Sequence, residues 1–356
     1  MLHWVNSVSK IDMQPGGEHH EFASDNTAGI CPEVLAALEE ANHGAAVSYG
    51  DDEWTSPVRK LVRDVFETDC DAYLVFNGTA ANALALAQLC QPFHSVVCHD
   101  HAHIQTDECG APEFFTRGSK LLLVGGGAGK IDINRVRDVI SRQLEVHAHK
   151  PRVISITQAS EFGTIYRRDE IGAIADLAGK HQMLLHMDGA RFANAIPSLG
   201  CSPKEITWKI GVDVLCFGGT KNGAVAAELV IFFKKELSRE FDYRLKQAGQ
   251  LASKTRFLAA QWLGLLNNHA WLRNARRAND MASKLAERLR AAAKIDIVLP
   301  VEANALFVRI PEQRAHDLHS RGWHFYKFIE PDVYRLMCSW ATTDAEIDHL
   351  VGDVLR

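Results

Sequence analysis

His186-Met187-Asp188-Gly189-Ala190-Arg191 and Phe217-Gly218-Gly219-Thr220-Lys221-Asn222-Gly223 decide how this chain folds. Each follows an apolar run of strand length, Met183-Leu184-Leu185 before the first and Val212-Asp213-Val214-Leu215-Cys216 before the second. A carboxylate and an amine at the ends of neighbouring parallel strands face the crevice in which open α/β sheets bind ligands. Upstream, Ala72-Tyr73-Leu74-Val75 leads through Phe76-Asn77-Gly78-Thr79-Ala80-Ala81-Asn82 into a helical stretch. That small-residue turn delivers amides at a helix N-terminus, a ready anion site. Phosphate cradle, acid and lysine, in that order, are what pyridoxal 5'-phosphate requires. The lysine binds the cofactor covalently, the acid keeps its pyridine nitrogen protonated and the cradle grips its phosphate.

Taken singly, each piece has a plainer reading. An aspartate after a strand is commonly a helix cap, a lysine in a turn is commonly solvated, and an Asn-Gly-Thr turn can simply start a helix. Their order and the glycines around Lys221 favour the cofactor site, because a residue without Cβ lets a flat ring approach the backbone.

Further outward the pattern continues. From residue 55 to residue 233 helical stretches alternate with apolar strand candidates at 72–76, 95–98, 121–124, 152–157, 183–187, 212–217 and 227–233. Such alternation predicts an α/β architecture, a mostly parallel seven-stranded sheet with helices on both faces. Residues 1–20 read as a lead-in and Pro32 to Asn42 as a helix. Long helices are expected over roughly 237–290, then short strands near 295–299, 304–309 and 334–338. The expected division is an N-terminal arm and helix (1–44), a large cofactor-binding α/β domain (45–250) and a smaller α+β C-terminal domain (251–356).

Composition narrows the function classes. The 356 residues are 47% hydrophobic and 23% charged, with net charge −5. Without a concentrated basic surface, nucleic acid is not the expected partner. No apolar run approaches the roughly 20 residues of a spanning helix, so no membrane is expected. Residues 1–20 lack the apolar centre of a signal peptide. Cysteines at 31, 70, 90, 98, 109, 201, 216 and 338 contain no CxxC pair and fit reduced thiols. A cytoplasmic enzyme is the expectation.

Two motifs carry less. Val124-Gly125-Gly126-Gly127-Ala128-Gly129-Lys130 is one residue short of a phosphate loop and has Ile131 where Ser or Thr would hold Mg²⁺. It reads as a strand-to-helix connection. His99-Asp100-His101-Ala102-His103 has no second cluster at zinc-site spacing, so no metal is expected; one of these histidines can instead stack on a flat cofactor.

With these pieces placed, the chain strongly resembles the low-specificity L-threonine aldolases, pyridoxal-phosphate enzymes of fold type I, the aspartate-aminotransferase-like, PLP-dependent transferase-like class. The resemblance rests on Ala23-Ser24-Asp25-Asn26, Tyr49-Gly50-Asp51-Asp52, Asn77-Gly78-Thr79-Ala80-Ala81-Asn82, Ala102-His103, Asp188-Gly189-Ala190-Arg191 and Gly218-Gly219-Thr220-Lys221. It implies that Lys221 carries the cofactor, Asp188 faces the pyridine nitrogen, Gly78 and Thr79 hold the phosphate and His103 stacks on the ring. It implies too that Ser24, Arg191 and Arg335 bind the substrate carboxylate, with Tyr49 near the pocket. Lys246, Lys254 or Arg256 would reach the phosphate. The implied reaction is retro-aldol cleavage of L-threonine, L-allo-threonine or a related L-β-hydroxy-α-amino acid to glycine and an aldehyde, in a homodimer or homotetramer. The departure is a loop: many relatives carry a histidine where this chain has Ala159-Ser160-Glu161-Phe162-Gly163. The proton of the substrate hydroxyl is therefore left to His103, Glu161 or water, and a larger β-substituent, as in phenylserine, enters the substrate range. Competing readings are another reaction on the same scaffold, a nucleotide-dependent α/β enzyme, and a binding protein without a chromophore.

Overall fold

The apolar runs become strands wherever both faces can be covered. The computed structural model describes residues 20–142, 145–293 and 295–356; of the expected lead-in, only His20 lies within them. In chain order the strands are β1 (His20–Glu21), β2 (Asp71–Val75), β3 (His94–His99), β4 (Lys120–Val124), β5 (Lys150–Thr157), β6 (Leu184–Gly189), β7 (Val214–Gly218), β8 (Glu228–Phe232), β9 (Ala305–Arg309), β10 (Trp323–His324), β11 (Tyr326–Ile329) and β12 (Val333–Met337).

β2 to β8 form one sheet in the order β2-β8-β7-β6-β5-β3-β4. All pairings are parallel except those of β8, which runs against both β2 and β7. This is the mostly parallel seven-stranded sheet that the alternation predicts, each strand within one or two residues of its expected bounds. Every residue of β6, β7 and β8 is buried, as central strands require, whereas the edge strand β4 is largely exposed or half-buried. Successive residues of one strand feed opposite faces. Leu215 and Phe217 join the core that holds Phe66, Phe192 and Trp262. Val214 and Cys216 join the other, with Leu84, Leu86 and Phe241.

β9, β11 and β12 make a three-stranded antiparallel sheet in the order β11-β12-β9, and β1 pairs in parallel with β10. The strand expected near 295–299 is reduced to a single bridge, Ile297 with Val308, ahead of Pro300, which cannot donate to a ladder. β11 was not foreseen: Tyr326-Lys327-Phe328-Ile329 is an edge strand with no buried residue, so it carries little alternation. The helix Ala270–Arg288 ties the parts together. Trp271 and Ala275 belong to the large-sheet core, and Met281, Ala282, Leu285 and Ala286 to the core of the small sheet with Leu306, Trp323 and Leu336.

The carboxyl ends of β2, β3, β5, β6 and β7 open at one edge, and the reversed β8 brings its first residue, Glu228, to the same edge opposite Val75 and Gly218. Here backbones approach closely. A Cβ on Gly218 would stand 2.4 Å from the Ala190 carbonyl oxygen. Gly218→Ala should therefore destabilise the fold by about 1–3 kcal/mol through overpacking, read from the urea midpoint. An unchanged midpoint would mean that the β6 and β7 ends can part without cost.

Candidate active site

Asn77 starts the helix Gly78–Leu89: its backbone is extended and its Oδ1 accepts the Ala80 N–H at 2.8 Å. The amides of Gly78 and Thr79 precede the first helical hydrogen bond and have no acceptor within the helix. Both residues line a cavity of about 300 Å³, together with His103, Asp188, Thr220, Lys221 and Glu228. That volume lies at the low end for small-molecule sites, roughly 300–1,000 Å³.

Asp188 is the penultimate residue of β6 and is 4% exposed. Its Oδ1 accepts the Ala190 N–H at 3.0 Å and its Oδ2 accepts Asn82 Nδ2 at 2.9 Å. Lys221 lies half-buried in the 3₁₀ turn Thr220–Asn222 that follows β7. Glu228 anchors this turn: the Gly219 N–H donates to Oε2 at 2.8 Å and the Thr220 N–H to Oε1 at 3.4 Å. Burial pushes the Glu228 carboxyl up, and the Thr220 hydroxyl, these amides and the Lys221 charge pull it back, to about 7.

His103 opens the one-turn helix His103–Thr106, with Nδ1 2.8 Å from Glu108 Oε1. Burial opposes its protonation, but Glu108, Glu161 and Asp188 outweigh burial and Lys221 together, and its pKa is raised.

A second cluster adjoins the first through Arg191, which stands three residues after Asp188 and directly before the helix Phe192–Leu199. Arg191 Nε and Nη2 donate to the two oxygens of Asp25 at 2.7 and 2.8 Å, both side chains almost fully buried. Burial alone would raise the Asp25 carboxyl; the guanidinium overcomes it and holds the group at about 2. Asn304 Nδ2 adds a bond to Asp25 at 3.0 Å. Arg335, on β12, donates to the Ala23 carbonyl at 3.3 Å and lies 4.9 Å from the Phe328 ring centre. Its Nε is buried with no acceptor, and burial and the nearby Arg191 charge both lower its pKa. A half-buried guanidinium with one buried N–H left without an acceptor is suited to an incoming anion. Ser24 caps the turn Asp25–Thr27, its Oγ accepting the Asn26 N–H at 3.2 Å.

The sequence-predicted residues thus fall into groups. Gly78, Thr79, His103, Asp188 and Lys221 share one cavity, and Ser24, Arg191 and Arg335 gather around Asp25 and Ala23. Tyr49 is exposed beneath the Lys246 ammonium, 4.4 Å from its ring centre. Arg256 donates to the Gly44 carbonyl, and Lys254 is exposed. In the loop after β5, Ser160 is committed to Thr164 Oγ1 at 2.8 Å and to the Phe162 amide, whereas Glu161 is half-buried. Asn82, Glu108 and Glu228 were not singled out from sequence. The available signals were a polar residue inside an alanine-rich helix and a carboxylate five residues after His103. The glycine run Gly125–Gly129 connects β4 to the helix Ile133–Ser141 and lines a separate hollow with His99 and His101. Among the described residues no group of three or more His, Cys, Asp or Glu could hold a metal ion.

Compared with known proteins, residues 21–313 match the Beta-eliminating lyase family. The low specificity L-threonine aldolase of Pseudomonas sp. (strain NCIMB 10558) is 51% identical over 337 residues, 95% of this chain and 97% of that one. The protein of the same description from Pseudomonas aeruginosa is 52% identical over 334 residues, 94% and 96% of the two chains. The solved threonine aldolase of Leishmania major has a TM-score of 0.89 at 26% identity, covering 94% of this chain and 98% of that one.

Glu228 gives the cavity a pH signature. Its folded-state pKa lies above the ordinary 4.5, so its contribution to stability is present below that value and lost as pH rises through about 7. Glu228→Gln keeps an acceptor for Gly219 and should flatten the fall in melting temperature of the cofactor-free protein between pH 5 and 8. Parallel melting curves for the two proteins would refute this assignment.

Proposed function

This chain belongs to the β-eliminating lyase family, and we infer that it acts as a pyridoxal-phosphate-dependent L-threonine aldolase. It is a carbon–carbon lyase that divides L-threonine, L-allo-threonine or a related L-β-hydroxy-α-amino acid into glycine and an aldehyde. Close relatives bearing that name align over nearly the whole chain. The carrying observation is the single cavity that unites the amides of Gly78 and Thr79, the Asp188 carboxylate and the Lys221 amine.

The residues present fit the cofactor. A helix N-terminus with free first-turn amides suits a phosphate. A buried carboxylate with an oxygen on each of two donors suits a protonated ring nitrogen. When bound, pyridoxal phosphate supplies the electron sink for the pair left on Cα as the Cα–Cβ bond breaks. The protein's residues do the rest. Lys221 anchors the cofactor, Asp188 faces its ring nitrogen and His103 covers the ring. Arg335 and Ser24 take the substrate carboxylate. Arg191 has Nε and Nη2 engaged by Asp25, so its contact with substrate falls to Nη1. Fixing the carboxylate would restrict rotation about the substrate's Cα–N bond and so help choose which bond to Cα breaks. The hydroxyl proton passes to His103, to Glu161 or to a water between them.

Assembly as a homodimer or homotetramer accounts for Phe76 and Val225, large apolar side chains that line the cavity and are 38% and 50% exposed. No described helix is long and apolar enough to cross a membrane. All eight cysteines are unpaired, which favours residence in the cytoplasm.

Two outcomes test this reading. Borohydride reduction of the loaded enzyme and peptide mapping should place the pyridoxyl group on Lys221, and Lys221→Ala should lose nearly all turnover of L-threonine, L-allo-threonine and L-threo-phenylserine. A label on Lys130 or Lys254 would sink the assignment. Arg335→Ala should raise KM for these amino acids at least tenfold, about 1.4 kcal/mol of lost contact, and Arg335→Lys should recover only part, since an ammonium lacks the planar fork. Unchanged KM in both variants would move the carboxylate site elsewhere.

A further inference from the structure

Behind His103 and Asn82, two residues of the cavity lining, lies a buried acid that the chemistry above does not use. Glu108 has a fully buried side chain. Its Oε1 lies 2.8 Å from His103 Nδ1 and 2.8 Å from Asn82 Nδ2, while its Oε2 is buried without a partner. Asn82 Nδ2 also donates to Asp188 Oδ2 at 2.9 Å. An amide nitrogen has two hydrogens, here one for each carboxylate. The chain turns tightly to allow this: after the single turn His103–Thr106, Cys109 and Gly110 adopt φ of 50° and 73°, and Glu108 returns against the ring just passed.

We propose that Glu108 is a positioning residue for His103, fixing its proton on Nδ1 and turning Nε2 to the bound molecules, and that Asn82 ties this pair to Asp188. The proposal rests on the aldolase reading only for what His103 touches. An ionised carboxylate can only accept, so the Glu108 contact requires hydrogen on Nδ1 and leaves Nε2 as the ring's remaining acceptor or donor. A buried carboxylate with one oxygen unmatched is costly unless a positive charge sits beside it. An imidazolium at His103 is that charge. The groups facing His103 are Glu108 on its own loop, Glu161 from the loop after β5, Asp188 from β6 and Lys221 after β7. Three carboxylates against one amine keep the ring protonated above the ordinary histidine range. His103 thus accepts a proton only on the alkaline side, and Glu108 sets where that side begins.

The test follows the His103 titration by NMR in ¹³C-histidine-labelled enzyme, with and without cofactor. The signal is assigned among the 17 histidines by its loss in His103→Phe. Glu108→Gln keeps an oxygen for Nδ1 but removes the charge, and should shift this titration to lower pH. The rising limb of the pH–rate profile for L-threonine cleavage should move the same way. Glu108→Asp keeps the charge one methylene further off, should shift both readouts less, and decides alone if the glutamine variant does not fold. A His103 titration unmoved in the folded variants overturns the proposal even if the enzyme cleaves threonine. A moved titration in a protein that cleaves no β-hydroxy amino acid upholds the pair and rejects the reaction.

Discussion

The pair between Asp25 and Arg191 is the constraint on which the geometry of the site depends. Its partners stand 166 residues apart, and Asn304, which also bonds Asp25, stands 279 residues from it. The pair therefore joins the N-terminal segment, the end of β6 and the small sheet at one buried point. Two charges survive there only because both carboxylate oxygens are matched to the guanidinium fork and a third donor is added; removing one partner of such a pair typically costs 3–5 kcal/mol. Asp188 is three residues from Arg191, so a chain that secures Arg191 fixes the direction of β6 at its catalytic end.

Around that point the sheet gathers charge. Parallel strands send their carboxyl ends to one edge, and the single reversed strand adds Glu228 to it. Asp188 and Glu228 line one cavity with Lys221, and Glu108 lies behind it against His103 and Asn82. That excess of buried acid is paired with helix-end amides at Gly78 and Thr79, which want an anion. The arrangement suits a molecule with a cationic ring nitrogen at one end and a phosphate at the other.

Much of this was legible in the sequence. The seven strands were visible because central parallel strands must be apolar on both faces, and Asp188, Lys221 and the Asn77 turn stand where those runs stop. β11 was hidden because an edge strand has nothing to bury. Asn82 was hidden because its partners Glu108 and Asp188 lie 26 and 106 residues away, and Glu228 because it serves a turn 9 residues before it; Glu108 left only its spacing of five from His103 as a signal. Arg191 shows the converse: the family resemblance implied a substrate contact, but most of its fork is committed to Asp25.

The turn that returns Glu108 to His103 has a chemical consequence of another kind. It exposes Cys109, while Cys31, Cys70, Cys90, Cys98, Cys216 and Cys338 are buried and Cys201 is half-covered. Burial pushes the thiols of Cys90 and Cys98 up to about 12, far from the thiolate form that reacts. In the single chain, therefore, an alkylating dye offered briefly at neutral pH will attach first at Cys109, one residue from the acid that holds His103. The molecule carries its own attachment point for a fluorescent reporter beside the acid that bonds His103.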